Sequence, residues 1–261
     1  MNMSTKYPIL LVHGLMLKDF RSFKAFGRIE GFLRGRGYSV FTCNTDGVGT
    51  IENNALQLKR QIIYILRRTG AKKINLIAHS KGGLDSRYMI EHLGMGKYVA
   101  SLTFICTPHY GSEIASRLYS LPSPIKKLLA AYINLGYRIT GDKAPDVLTV
   151  CRQLRRDHTG VLAEGCGYDG VYLQSYSTTL DKSRNDFVMG IPLIFSKKYE
   201  ASPSDGLVSE DSTKFGNYKG KCLDESMSHT QIVDLLVFSE KRQRVYDFYL
   251  KLCEELTENG F

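Results

Sequence analysis

The sequence predicts an α/β architecture: a mostly parallel central sheet, flanked by helices and interrupted by a helical insertion. Three observations predict it. Short apolar runs alternate with stretches of helical periodicity through Cys106, the rhythm of βαβ units. Each run is closed by glycine, proline or small polar residues. From about Ser112 to Asp186 the buried-strand signals thin out, although helical segments and turns continue. A chain of 261 residues buries a sizeable core as one domain of this class. The chain therefore reads as one domain over residues 1–261, with its core in residues 6–112 and 187–261 and a cap or lid in residues 113–186.

Ile9, Leu10, Leu11 and Val12 follow Pro8 as an unbroken apolar run, as a strand covered on both faces requires, and His13-Gly14 closes it. Phe20, Phe23, Phe26, Ile29, Phe32 and Leu33 then recur at helical spacing until Gly35 and Gly37 stop the helix. Residues 38–42 read as the next strand. Residues 56–66 read as a helix, with Leu56, Ile62, Ile63 and Leu66 on one stripe. Residues 74–78 are a strand, 84–93 a helix, and 102–106 an apolar strand closed by Thr107-Pro108. Inside the insertion, Ser123-Pro124 is a helix start, with serine as cap and proline at the first position. Ile125, Leu128, Leu129, Tyr132 and Ile133 follow on one face. Residues 170–178 read as a strand returning from the insertion, 192–196 as a further strand, and 231–252 as the last helix or two.

The stretch KKINLIAHSKGGLDSRYM, residues 72–89, delivers Ser80 where a buried strand turns into a helix. A serine hydroxyl is a weak nucleophile without a base to take its proton and donors to receive the oxyanion. A tight strand-to-helix turn lifts the side chain clear of the sheet and aims the first helical amides at the reacting carbon. Such a turn admits only small neighbours. Ala78 and Gly82, two residues before and after Ser80, meet that need, with alanine in place of the usual leading glycine. His13-Gly14-Leu15 after the first strand offers a second amide, so the oxyanion donors are expected to be Leu15 N–H and Lys81 N–H. His13 and His79 read as loop-orienting residues rather than acid–base groups.

In hydrolases with this turn the chain order is serine, carboxylate, histidine. The histidines are His13, His79, His92, His109, His158 and His229, and His229 lies late, in a polar loop before the last helix. Asp205, before Gly206, suits the carboxylate; Asp181, Asp186 and Asp224 are rivals. An aspartate before glycine is also a common turn pair.

Several motifs together resemble the bacterial true lipases of the Pseudomonas–Burkholderia–Proteus type. They are YPILLVHG at residues 7–14, INLIAHSKGGL at 74–84 with Arg87-Tyr88, TPHYGS at 107–112, GVYLQSYS at 170–177 and SDGLV at 204–208. The similarity covers both ends of the sheet and is patchy in the cap. It implies the α/β-hydrolase fold, carboxylester hydrolysis by a Ser80–Asp205–His229 triad, and an oxyanion hole from Leu15 and Lys81. The same triad serves thioesterases, amidases and acyltransferases, and a non-catalytic binding protein on this fold is the remaining alternative. The family typically holds calcium near the histidine loop, with an aspartate two residues after the histidine. Gln231 stands at that position, so no metal or other cofactor is expected.

Composition narrows the partners. The net charge of +9 is spread over short clusters such as Lys126-Lys127, Arg155-Arg156 and Lys197-Lys198, with no long basic helix and no nucleic-acid motif, so a solvated basic surface is expected and nucleic acid is not. Among the six cysteines, Cys43 and Cys106 read as core residues, no CxxC pair occurs, and no spacing supports a disulfide among Cys151, Cys166 and Cys222. No apolar run approaches the ~20 residues of a membrane helix, and residues 1–6 carry no secretory signal, so the expectation is a cytoplasmic protein acting on a small-molecule or lipid ester. The stretch from Ile125 to Ile133 has two readings. One is a lid whose apolar face covers the site in water and turns to lipid. The other is a cap helix packed permanently on the core.

Overall fold

The computed structural model describes residues 4–157, 167–186 and 188–261. Among them, six parallel strands form one sheet in the order β2-β1-β3-β4-β5-β6. The strands are β1 (Ile9–Val12), β2 (Val40–Thr42), β3 (Ile74–His79), β4 (Val99–Ile105), β5 (Tyr172–Ser177) and β6 (Asn217–Lys221). The helices are α1 (Ile29–Gly35), α2 (Ile51–Thr69), α3 (Lys81–Leu93), α4 (Glu113–Tyr119), α5 (Ser123–Ile139), α6 (Val147–Gln153), α7 (Gly190–Tyr199), the short α8 (Glu210–Thr213) and α9 (Ser239–Glu258).

Alternation along each strand divides the core into two layers. Ile9, Leu11, Ile77 and Ile105 face α1 and α9, where Leu33, Tyr249 and Leu252 meet them. Leu10, Val12, Leu76 and Phe104 face α2 and α3, against Leu58, Ile62 and Met89. Burial on both faces is why these strands read as continuous apolar runs.

Several elements differ from the sequence reading. The phenylalanine-rich stretch is helical only from Ile29: Phe20 and Phe23 pair with each other, and Gly27 turns with φ +49° where a Cβ would lie 2.6 Å from Asp234. On α2 the buried stripe is Ala55, Leu58, Ile62 and Ile65, with Leu56 exposed and Ile63 half-buried. Residues 192–196 belong to helix α7, not to a strand. Their apolar run is too short for periodicity to separate strand from helix, and burial of Leu193 and Ser196 beside exposed Ile191, Ile194 and Phe195 is one-sided, as in a helix. Pro192 is tolerated because it falls in the first turn. Pro122, not Ser123, precedes α5, and no side chain caps it. β5 pairs with β4, so part of the segment 113–186 belongs to the sheet. β6, a polar edge strand of alternating exposure, gave no apolar signal. Cys151 and Cys222 are free thiols; Cys166 and His158 lie outside the described residues.

Candidate active site

β3 ends at His79 and α3 begins at Lys81, so one residue makes the whole turn. That residue, Ser80, has φ 54° and ψ −132°, a strained conformation for a side chain with a Cβ. Close packing holds it there. A Cβ on Gly14 would lie 2.7 Å from the Ser80 Cβ, one on Gly82 2.4 Å from the His13 carbonyl, and one on Gly83 2.1 Å from Thr107 Oγ1. The Ser80 amide donates to the Ile105 carbonyl of β4, which anchors the turn to the sheet.

The other two groups come from loops on either side of β6. His229 Nε2 lies 2.8 Å from Ser80 Oγ, and its Nδ1 lies 2.6 Å from Asp205 Oδ2. With Nδ1–H donating to the carboxylate, Nε2 is left to accept the serine proton. The second oxygen of Asp205 accepts from the Leu207 and Val208 amides at 2.9 and 2.8 Å. The His229 amide donates to the Asp205 carbonyl at 3.0 Å, so backbone and side chain bind the two loops together. Asp205 is completely buried, His229 is 4% exposed and Ser80 8%. Gly206 follows with φ +108°, and a Cβ there would meet Met189 at 3.0 Å, so the carboxylate loop also needs its glycine. Of the rival carboxylates, Asp181 and Asp224 are exposed, and Asp186 is buried against Ser228.

Gly14 packs on Ser80 and thereby brings the Leu15 loop beside the nucleophile. Neither Leu15 N–H nor Lys81 N–H has a hydrogen-bond acceptor among the described residues, and Lys81 opens the helix. The Lys81 side chain points elsewhere: its Nζ lies 2.6 Å from Asp85 Oδ1 in a fully buried pair. Burial pushes the Asp85 carboxyl up and Lys81 pulls it back, with the net direction upward. Asn54 donates to the same carboxylate at 3.2 Å.

His79 and His13 serve as struts. His79 Nε2–H donates to the His229 carbonyl at 3.0 Å, and burial followed by the nearby His229 holds its pKa well below the ordinary value, so it stays neutral. His13 Nδ1–H donates to the Gly14 carbonyl at 3.1 Å, and Nε2 lies 3.2 Å from Thr45 Oγ1. His109 accepts from Arg87 at 3.3 Å and stacks on Phe215. Cys106 is the buried core residue the sequence predicted, but its place near both Asp205 and His229, with φ +52°, was not foreseen. Burial, then the Asp205 charge, pushes its thiol well up, so it remains protonated. The sulfur, carboxylate and imidazole atoms of this trio lie within 4.8 Å of one another, but the last two are committed to each other.

The donors near the histidine loop do not fit calcium, which takes six to eight oxygens with strong carboxylate charge. Besides Asp205, which is held by His229, Asp186 is the one carboxylate hydrogen-bonded to residues 228–231 among the described residues. Both Asp186 oxygens already accept hydrogen bonds, from Val188 N, Met189 N, Ser228 Oγ and Thr230 Oγ1. Gln231 adds only a neutral amide, occupied by Ser228 N and the Asn185 carbonyl.

Helices α4, α5 and α6 lie in the segment read from the sequence as a cap, and α6 packs with both of the others. The inner side of α5 touches the loop after β1: Ala130, Ile133 and Tyr137 pack with Leu15 and Val48, and Tyr137 OH donates to the Met16 carbonyl at 2.7 Å. Of the stripe read from the sequence, either as a lid face or as a packed cap helix, Ile133 packs inward and the other members face outward. Ile125, Leu128, Leu129 and Tyr132 are exposed, Leu128 by 75% and Tyr132 by 78%, and Leu135 and Ile139 extend the face. Surface cavities of about 620 Å³ and about 600 Å³ lie at α1 and beside β6, and no triad residue lines either.

Comparison with known proteins gives a consistent result. A triacylglycerol lipase of Vibrio cholerae is 32% identical over 257 residues, covering 85% of this chain and 80% of that protein. A triacylglycerol lipase of Pseudomonas fragi is 39% identical over 139 residues, about half of each chain (52% and 47%). The mature Bacillus licheniformis lipase BlEst2 superimposes with a TM-score of 0.70 over 95% of this chain and 92% of its own, at 18% identity, which speaks to fold alone. No family model matches the chain.

Proposed function

Since the chain belongs to the triacylglycerol lipase family, and so is a carboxylic ester hydrolase of the α/β-hydrolase fold, we propose that it cleaves acyl esters through an acyl-enzyme on Ser80. The observation that carries this reading is the unbroken relay from Ser80 Oγ to His229 Nε2 at 2.8 Å and from His229 Nδ1 to Asp205 at 2.6 Å. His229 takes the hydroxyl proton as Ser80 attacks the carbonyl carbon. Asp205 keeps the imidazole in the productive tautomer and stabilises its charged form. The Leu15 and Lys81 amides receive the oxyanion, and in other enzymes losing one such donor costs roughly 3–4 kcal/mol. The alcohol leaves with the proton from His229. Water, deprotonated by the same imidazole, then releases the acid.

The substrates we propose are lipid esters, including triacylglycerols. The outward apolar face of α5, with Lys126 and Lys127 on the same helix, supports transient contact with a lipid surface. No helix among the described residues is long and apolar enough to cross a membrane.

A fluorophosphonate probe tests the nucleophile. The wild type is expected to label and Ser80→Ala to remain unlabelled while melting at the same temperature; equal labelling of both proteins would remove Ser80 from the mechanism. Initial rates on p-nitrophenyl esters of increasing chain length, beside a thioester and an anilide, test the substrate class. Rates on the thioester or anilide above those on every ester would move the chain out of ester hydrolysis.

A further inference from the structure

The segment before α7 and the segment carrying His229 are laced together by side chains that the reaction itself does not use. Asp186, 5% exposed, accepts from the Ser228 hydroxyl at 2.5 Å and from Thr230 Oγ1 at 3.5 Å, the two residues that flank His229. Its other oxygen accepts from the Val188 and Met189 amides at 2.7 and 2.8 Å, which fixes the carboxylate at the start of α7. Gln231 closes the same ring. Its amide N–H donates to Ser228 Oγ, its side-chain oxygen accepts from Ser228 N, and its side-chain nitrogen donates to the Asn185 carbonyl, each at 3.2 Å. Ser228 is fully buried and Gln231 nearly so. Every side-chain polar atom of Asp186, Ser228, Thr230 and Gln231 therefore has a partner inside the protein, an arrangement that is rigid when complete and costly when one member is lost.

We infer that Asp186 is a positioning residue for His229: with Ser228, Thr230 and Gln231 it forms a clasp of hydrogen bonds that holds the imidazole in register with Ser80 and Asp205 without a metal ion. The inference rests on His229 being the base. The clasp does mechanically what a cation bridging two carboxylates would do, and its charge is lower. One carboxylate shares four donors, so no second negative charge needs neutralising. Placement of the imidazole is what the clasp governs, because a displacement of ~1 Å at a reacting group costs roughly 10²-fold in rate.

The test uses the 261-residue chain, p-nitrophenyl butyrate hydrolysis well below the melting temperature, and fluorophosphonate labelling. Wild-type kcat is expected to be the same after exhaustive chelation and after addition of millimolar calcium. Asp186→Asn and Ser228→Ala are each expected to lower kcat and the labelling rate roughly 10- to 100-fold with KM nearly unchanged. The double variant should fall no further than the weaker single one, since the residues act as a unit. Ser228→Ala removes a single oxygen and keeps the inference testable should Asp186→Asn not fold. Loss of wild-type activity on chelation with recovery by calcium would overturn the inference, as would variants that melt lower yet keep wild-type kcat. Failure of the Ser80 reading gives a different signature: Ser80→Ala would then stay active whatever the clasp variants do.

Discussion

Asp205 shows at the scale of one residue how burial and backbone donors make a carboxylate useful. Two amides occupy one oxygen and leave the other for His229 Nδ1–H. Asp205→Asn keeps the volume but presents an amide, which favours the wrong imidazole tautomer. We expect kcat on a soluble ester to fall about 10⁴-fold with little change in melting temperature, measured by stopped-time assay and calorimetry. Gly82→Ala should act through geometry instead. Its Cβ would sit 2.4 Å from the His13 carbonyl, so the turn or the oxyanion loop must shift, and both stability and kcat should drop. Retention of full activity would show that the elbow has slack. Ser80, Gly82 and His229 were legible in the sequence because the turn demands small neighbours at fixed offsets and the chain order admits one late histidine. Asp186 was legible only as a rival acid, since hydrogen bonding to residues 42 and 44 positions away leaves no local pattern.

Elements were legible where burial on both faces made a strand continuously apolar, and they were misread where it did not. β6 alternates exposed and half-buried polar residues, and α7 starts with an apolar run that fits either geometry. For α5 the sequence located the helix, but amphipathicity alone could not say which face the cap would bury. Ala130, Ile133 and Tyr137 on its inner side hold the Leu15 loop, and Leu128, Tyr132 and Leu135 point to solvent. Leu128→Asp combined with Tyr132→Asp should therefore weaken adsorption to lipid droplets, read by co-sedimentation, and leave hydrolysis of a soluble short-chain ester nearly unchanged. Equal losses on both substrates would mean that the helix supports the site and not the interface. Tyr137→Phe removes the donor to Met16, a residue held at φ +61°, and should slow turnover of every ester by loosening the loop that carries Leu15.

Across the whole molecule, buried histidines set the response to acid. His79 is held below its ordinary pKa by burial and then by His229, and His109 by burial and then by Arg87. Below about pH 6.5 the unfolded chain takes up protons that these folded side chains refuse, so stability is lost as pH falls from that value towards the folded pKa values. His13 opposes this: burial lowers it, but Cys43 and the Gly14 carbonyl leave it raised on balance, so its contribution fades as pH rises. His79 and His109, each held well below the ordinary value, outweigh the raised His13 and Asp85 and predict a lower melting temperature at pH 5.0 than at pH 7.5, and His109→Gln should flatten the difference. A melting temperature that rises on acidification would contradict this. The sheet also distributes the reactive groups unevenly along the polypeptide: the hydroxyl directly follows the third strand, whereas the imidazole and carboxylate flank the sixth. A ribosome thus exposes the serine long before it has made either activating partner. On the proposed triad, the growing polypeptide would pass most of its synthesis inert towards esters and acquire reactivity only when its last quarter docks.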